Sequence, residues 1–570
     1  MDAQHPAYRG LSRRSALKRS AGVGLLLTQV AVLEGVAVRS NRALADVVAA
    51  GAAPSFSDIQ FAIGNFINAP QTFNDGAGNV TAQFAPVFSL FQPLTLNRTP
   101  TTADQTTLSN ALAAIEAAFP ASPAGLLIVS VSYGLPYFNR LNQATVKANI
   151  PTDLASGDPV LIEAVPFDTD VVGGVVGGSG ALFPGVKKVR FNVNVVIEKN
   201  DMLLHTRSDS LSNLTNANLW LQGSNNLNGK AVASPNFRGL FTVQTPRVQF
   251  LQQGMPQKVA KQNGFEFAGR MNPDSPMAMG FVDQQTDSSG PPEIVTFAGN
   301  SSAVLTSAKA GDYFDNGSIA HFSHNIQDLF AFFASTTQEP APANDPAGEP
   351  FTERVQYMFR SNQTGTADGL PADGNSDQFT NGGGPAFINN VFQGTGAALA
   401  AAQDGAGQFT SANATLNATF TGAPRIGHEE ALQQVSRAPD GTPLHLRMDG
   451  PGFDGMDVPA FNTAGTANAV SDGVFATKGT NIPAGSNQFK LQFMMFVPTA
   501  QTFASMRNAA AAQKLAQQFD VDPGDNGLER FITATRRQNF LVPPRSLALP
   551  QVSRTPLRVI RLLLARKARA

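Results

Sequence analysis

The chain has no cysteine, one tryptophan and five tyrosines among its 570 residues. Without thiols it forms no disulfide and no thiolate metal site, and it has no cysteine nucleophile. Charge is sparse too: 15% of residues are charged and the formal net charge is −1, so no global field draws the chain to nucleic acid or to an anionic surface. Past the first 45 residues no stretch is apolar and long enough to span a bilayer. Apolar and small residues are abundant instead, with 42% hydrophobic residues, 51 Gly and 38 Pro. That balance implies a substantial core joined by long, neutral loops. The length exceeds that of a usual single domain, so two domains or one large two-lobed domain is expected.

Residues 1–45 read as an address. SRRSALK at 12–18 places a twin Arg ahead of AGVGLLLTQVAVLEGVAV, and Ala43-Leu44-Ala45 supplies an A-x-A cleavage site. This is the pattern of a twin-arginine export signal, which sends a folded protein to the periplasm or outside the cell. Glu34 interrupts the apolar segment and argues against a permanent membrane helix.

The mature chain reads as two similar α+β halves, 55–285 and 290–545. FSDIQFAIGNF (56–66) is a candidate first strand. Leu108, Leu112, Ile115 and Phe119 recur at helical spacing up to Pro120. A strand follows in GLLIVSVSYG, the alternation of VRFNVNVVI (189–197) predicts another, and DMLLHTRSDSLSNL runs from strand into helix, with His205 as a polar strand tip. The order strand, helix, strand, strand suggests a ferredoxin-like unit. In the second half, 311–333 reads as strand then helix, KLQFMMFV (490–497) as a strand, 502–518 as a helix, 528–535 as a short helix and NFLVPP (539–544) as a closing strand. The fold class expected is therefore α+β: two ferredoxin-like lobes, antiparallel sheets with peripheral helices and long Gly/Ala/Asn-rich insertions. Those insertions, at 171–180, 381–408 and 461–487, fit no regular element.

The stretch IGHEEALQQVSRAPDGTPLHLRMDGPGF (426–453) carries the chemistry. His428 stands nineteen residues before Arg447, and a helix over 429–435, a turn at Asp440-Gly441 and a strand entering at Leu444 can set the two on opposite sides of one pocket. An imidazole and a fixed guanidinium so placed suit haem-dependent peroxide chemistry. The stretch resembles the proximal segment of dye-decolourising peroxidases, and 490–544 is similar to that family's C-terminal end. The resemblance implies haem b between two lobes, with His428 as axial ligand and metal-binding residue. It makes Arg447 the distal Arg, and Leu491 and Phe493 apolar walls of the distal pocket. The family's distal acid lies in a G-x-x-D-G loop, which Gly280-Phe281-Val282-Asp283-Gln284 matches at all but the last position, making Asp283 the proton shuttle. Hydrogen peroxide and a small organic or dye-like reductant are the implied partners. A non-catalytic haem- or iron-handling relative is the alternative reading. His445, in HLR, is a rival axial ligand. His321 and His324, in HFSH, could hold a metal ion if helical. The basic tail, 546–570, contains VSRTPLRVIRLLLARKARA and could lie on an anionic membrane surface or another subunit.

Overall fold

The computed structural model describes residues 71–74, 79–82, 86–120, 124–176, 188, 190–252, 254–271, 275–279, 290, 292–298, 305–333, 444–462, 481–511, 528–529 and 531–544. The predicted export signal at 1–45, the candidate strand at 56–66, the insertion at 381–408 and the basic tail lie outside these residues. Among those described, no helix is long and apolar enough to cross a membrane.

The main sheet has eleven strands: β1 Phe88–Leu96, β2 Leu127–Gly134, β3 Val196–Ile197, β4 Met202–Ser208, β5 Phe241–Val243, β6 Arg247–Phe250, β7 Ser318–Gln327, β8 Leu446–Arg447, β9 Gly450–Asp454, β10 Gln488–Val497 and β11 Ile532–Val542. Three helices frame it: α1 Thr102–Ala118, α2 Leu211–Leu221 and α3 Ala500–Ala510. In the first half the chain runs β1-α1-β2, then β4-α2-β5/β6, and the strands lie side by side as β5/β6-β1-β4-β2. In the second half β11-β7-β10-β8/β9 repeats that arrangement, with fourth, first, third and second strands adjacent. Each half is a ferredoxin-like unit, and the fold is α+β.

The two units share one sheet. β2 pairs with β11 through Tyr133↔Leu541 and Gly134↔Phe540. At the far ends β6 comes against β9. A Cβ at Gly450 would fall 2.5 Å from the Gln249 amide, and one at Gly452 would fall 2.9 Å from the Val248 carbonyl oxygen. Only glycine permits that approach. The sheet thereby curls on itself and acquires an inside and an outside. Phe91, Leu203, Phe322, Met494 and Phe540, one from each of five strands, belong to a single inner apolar cluster. Alternate residues of the same strands, such as Leu90, Leu204 and Met495, face outward into the core beneath the helices. Burying each such side chain contributes roughly 1.5–3 kcal/mol.

The helices follow from local chemistry. Thr101 Oγ1 accepts from the Asp104 amide at 3.3 Å while the Asp104 carboxylate accepts from the Thr101 amide at 2.7 Å, a reciprocal cap that starts α1. Leu112 and Ile115 then meet the sheet, as their spacing predicts. Thr499 caps α3 through the Thr502 amide at 3.0 Å, and Phe503 and Met506 form its buried face.

Four readings are corrected. Residues 528–535 do not form a helix: Phe531 closes a turn and Ile532 enters β11, where β-branched Ile532, Thr533 and Thr535 suit a strand. Among the described residues of 190–197 only Val196–Ile197 is strand, parallel to Arg536–Arg537; Asn194 makes just an isolated parallel bridge to Val171. The 171–180 insertion begins as a hairpin, Val171–Val172 with Val175–Val176, turned by Gly173 and Gly174 at φ +62° and +81°. His205 is no strand tip: it lies within β4, 0% exposed, its ring 4.2 Å from that of Phe91.

Candidate functional site

The outer face of the second unit carries an open cleft between β10 and α3. Strand alternation places Leu491, Phe493 and Met495 along its floor, with Ser323 and Asn325 of β7 beside them. Phe503, Met506, Arg507 and Ala510 face it from α3, at the three- and four-residue spacing of one helical stripe. Arg447 of β8 stands at one side, and Leu528, Glu529, Ile532 and Arg537 close the other. Arg447, Leu491 and Phe493, singled out in the sequence from separate segments, therefore line one cleft. Asp283 and His428 lie outside the described residues. His445 is described and buried, and it is not part of the cleft lining.

A buried ionic cluster forms the cationic end of the cleft. Arg537 binds both carboxylate oxygens of Asp170, at 2.9 and 2.7 Å. Arg507 binds both oxygens of Glu529, at 2.6 and 2.8 Å, and the Thr169 hydroxyl at 2.7 Å. Lys188 Nζ lies 3.8 Å from Glu529 and donates to the Ile532 carbonyl oxygen at 2.6 Å. The Arg537 guanidinium sits 4.9 Å from the Phe167 ring centre, which packs its apolar face. Three cations thus meet two carboxylates, and Arg447 adds a fourth cation at the cleft. Burial alone would raise the Glu529 pKa, but Arg507 and Lys188 outweigh it and hold the carboxyl down at about 2. Burial pushes the Lys188 ammonium down to about 8, only partly offset by Glu529.

The HFSH histidines do not form a metal site. They lie on strand β7, where a separation of three residues turns them to opposite faces. His321 faces outward, its ring 3.5 Å from that of Phe503 and its Nδ1 2.8 Å from Asn539 Oδ1. His324 lies with Nδ1 2.6 Å from Thr535 Oγ1 and Nε2 3.5 Å from Asp454. Among the described residues no group of three His, Asp or Glu side chains is placed to hold a metal ion.

Sequence reasoning missed the ionic cluster. Arg507, Glu529 and Arg537 come from an apolar helix, a turn and a strand, and Asp170 lies 367 residues from its partner Arg537. No local pattern in the sequence announces such a pairing.

Leu491, Phe493, Met495, Phe503 and Met506 give the cleft an apolar surface with Arg447 at its side, while Arg507 and Arg537 are each held by a carboxylate of the chain itself.

Fold and cleft together define an α+β protein of two ferredoxin-like units, one bearing an amphipathic cationic cleft. A family of unknown function, DUF7405, matches residues 184–343. No curated protein matches the chain. Among solved structures, the encapsulated DyP-type peroxidase of Mycobacterium smegmatis is 14% identical with a TM-score of 0.40, over 81% of this chain and 95% of that one. A dye-decolorizing peroxidase of Bacteroides thetaiotaomicron is 13% identical with a TM-score of 0.37, over 81% and 94%. A DypB variant of Rhodococcus jostii in complex with heme is 15% identical with a TM-score of 0.36, over 81% and 94%. Likeness at this level transfers no activity to this chain.

Proposed function

We propose that this chain is an exported haem-dependent peroxidase of the dye-decolourising type, reducing hydrogen peroxide at the expense of a small organic reductant. The observation that carries the reading is the convergence of Arg447, Leu491 and Phe493 on one cleft of matching chemistry. Haem, when bound, supplies the redox centre. Leu491 and Phe493 exclude water from the floor of the cleft, which strengthens every charge interaction inside it. The Arg447 guanidinium would stabilise negative charge developing on a departing oxygen. Asp283 would take a proton on its carboxylate and return it to that oxygen, and His428 would hold the haem iron. The twin-arginine signal fits a protein that leaves the cytoplasm folded with its cofactor in place.

The purified native protein is expected to show a Soret band and to oxidise a small phenolic dye only when peroxide is present. His428→Ala should abolish the band and His445→Ala should leave it; the reverse result moves the ligand to His445. Arg447→Ala should retain the band and lose on the order of 100-fold or more in peroxide-dependent kcat. Absence of the band in native protein rejects the reading. A second reading, a haem- or iron-handling relative without turnover, draws on Gln284, which replaces the glycine expected after Asp283. It predicts the band without peroxide-dependent oxidation.

A further inference from the structure

The inner wall of the first unit carries polar side chains in register across neighbouring strands. Arg207 on β4 lies opposite Ser89 on β1, and Ser89 lies opposite Gln249 on β6. In the next inward-facing row, His205 lies opposite Phe91, and Phe91 lies opposite Arg247. Directly paired residues of antiparallel strands project to the same face, on strands about 4.8 Å apart. All five polar residues are at least 98% buried. Ser89 Oγ, both ring nitrogens of His205, Nε of Arg207, Nε and Nη1 of Arg247, and both amide atoms of Gln249 have no hydrogen-bond partner among the described residues. Leaving such atoms unsatisfied in the interior is costly.

The charge balance shows what kind of partner would suit them. Arg207 donates to the Pro86 carbonyl oxygen at 3.1 Å, and no described carboxylate lies within ion-pair distance of it. Asp209, the one carboxylate that acts on it, accepts from the Val87 amide at 2.8 Å. Arg247 pairs with Glu198, which Arg536 also approaches at 3.4 Å. Burial and the nearby Arg207 keep the His205 ring neutral, so one ring nitrogen can donate. The free valences are thus mostly N–H and O–H donors around a guanidinium with no described carboxylate in ion-pair contact. Water could satisfy the hydrogen bonds but would not neutralise the charge. Packing limits any occupant to a small ion: Phe91 stacks on His205 and lies 4.5 Å from Phe322, and Gln249 abuts the backbone at Gly450.

We propose that the interior of the first unit binds a small inorganic anion of the halide or nitrate class, held by Arg207, Ser89 and Gln249, with Arg247 and His205 beside it. The site is independent of the outer cleft and of haem. Crystals of the full chain soaked in sodium bromide should show an anomalous peak bounded by Arg207, Ser89 and Gln249. Bromide peaks confined to surface arginines, or none, overturn the proposal. In solution, replacing gluconate by bromide at constant ionic strength should raise the unfolding midpoint saturably, by about 2–5 °C. Ser89→Ala, which removes one donor without adding volume, should shift the half-saturating bromide concentration upward about tenfold. Arg98→Gln, at an exposed ion pair, should leave it unchanged. A rise that never saturates, or one that is the same in Ser89→Ala, also overturns the site.

Discussion

The two halves of the sheet share one strand order and use their outer faces differently. In the first, α1 and α2 lie over a narrow space lined by Leu94, Leu108, Leu112, Met202 and Leu221. Its two central polar side chains satisfy each other: Asn218 donates to Gln92 Oε1 at 2.9 Å, and Gln92 donates to the Gln244 carbonyl oxygen at 2.8 Å. In the second, α3 covers a wider cleft whose lining includes Arg447, Arg507, Glu529 and Arg537, whereas no charged side chain lines the first. Topology is common to both, so the difference between the outer faces lies in side-chain charge.

That contrast can be broken most directly at Glu529. Glu529→Ala strands Arg507 and Lys188 in the interior and should cost about 3–5 kcal/mol in equilibrium denaturation. The matched change in the first half, Asn218→Ala, should cost about 1–2 kcal/mol, since it loses only a neutral hydrogen bond and some packing. Equal losses would remove the distinction. Packing gives the next largest effect. Leu112→Ala, under α1, should cost about 2–4 kcal/mol, whereas Met506→Ala, facing the cleft, should cost about half as much.

The pH dependence sharpens the comparison further. The Glu529 carboxyl titrates at about 2 in the folded chain against an ordinary 4.5. Its stabilisation is fully present above pH 4.5 and is lost as the pH falls toward 2. Lys188 runs the other way: its folded pKa of about 8 lies below the ordinary 10.5, so the unfolded chain binds more protons between them and stability rises with pH over that window. Glu529→Gln should flatten the acid limb of a stability–pH curve, and Lys188→Met the alkaline one. The smallest effect should be shared by both halves: Thr101→Ala and Thr499→Ala each remove a helix cap worth about 1 kcal/mol.

The sequence made the regular apolar elements legible. α1 shows its apolar stripe at Leu108, partly buried, and at the buried Leu112 and Ile115, and KLQFMMFV reads as the strand it is. The cleft was partly legible, since Arg447, Leu491 and Phe493 could be singled out before the fold was known. β11 was hidden because ITATRRQNFLV mixes polar residues onto both faces. Arg537, Gln538 and Asn539 are all buried there, each bonded to a residue more than 200 positions away. Local periodicity registers such residues as solvent-facing, and only the tertiary pairing reveals otherwise. His205 misled for the same reason, being a polar residue on an inner wall. Asp283 and His428 fall outside the described residues.

The closure at Gly450 and Gly452 has a mechanical consequence. The two units are stitched by main-chain hydrogen bonds along β2 and β11, but where β6 meets β9 they are held by contact alone. The structure resembles a book with a sewn spine and a pressed fore-edge. Thermal or mechanical stress would part the pages at the glycine margin first, admitting solvent to the inner wall while each half kept its own ladder intact.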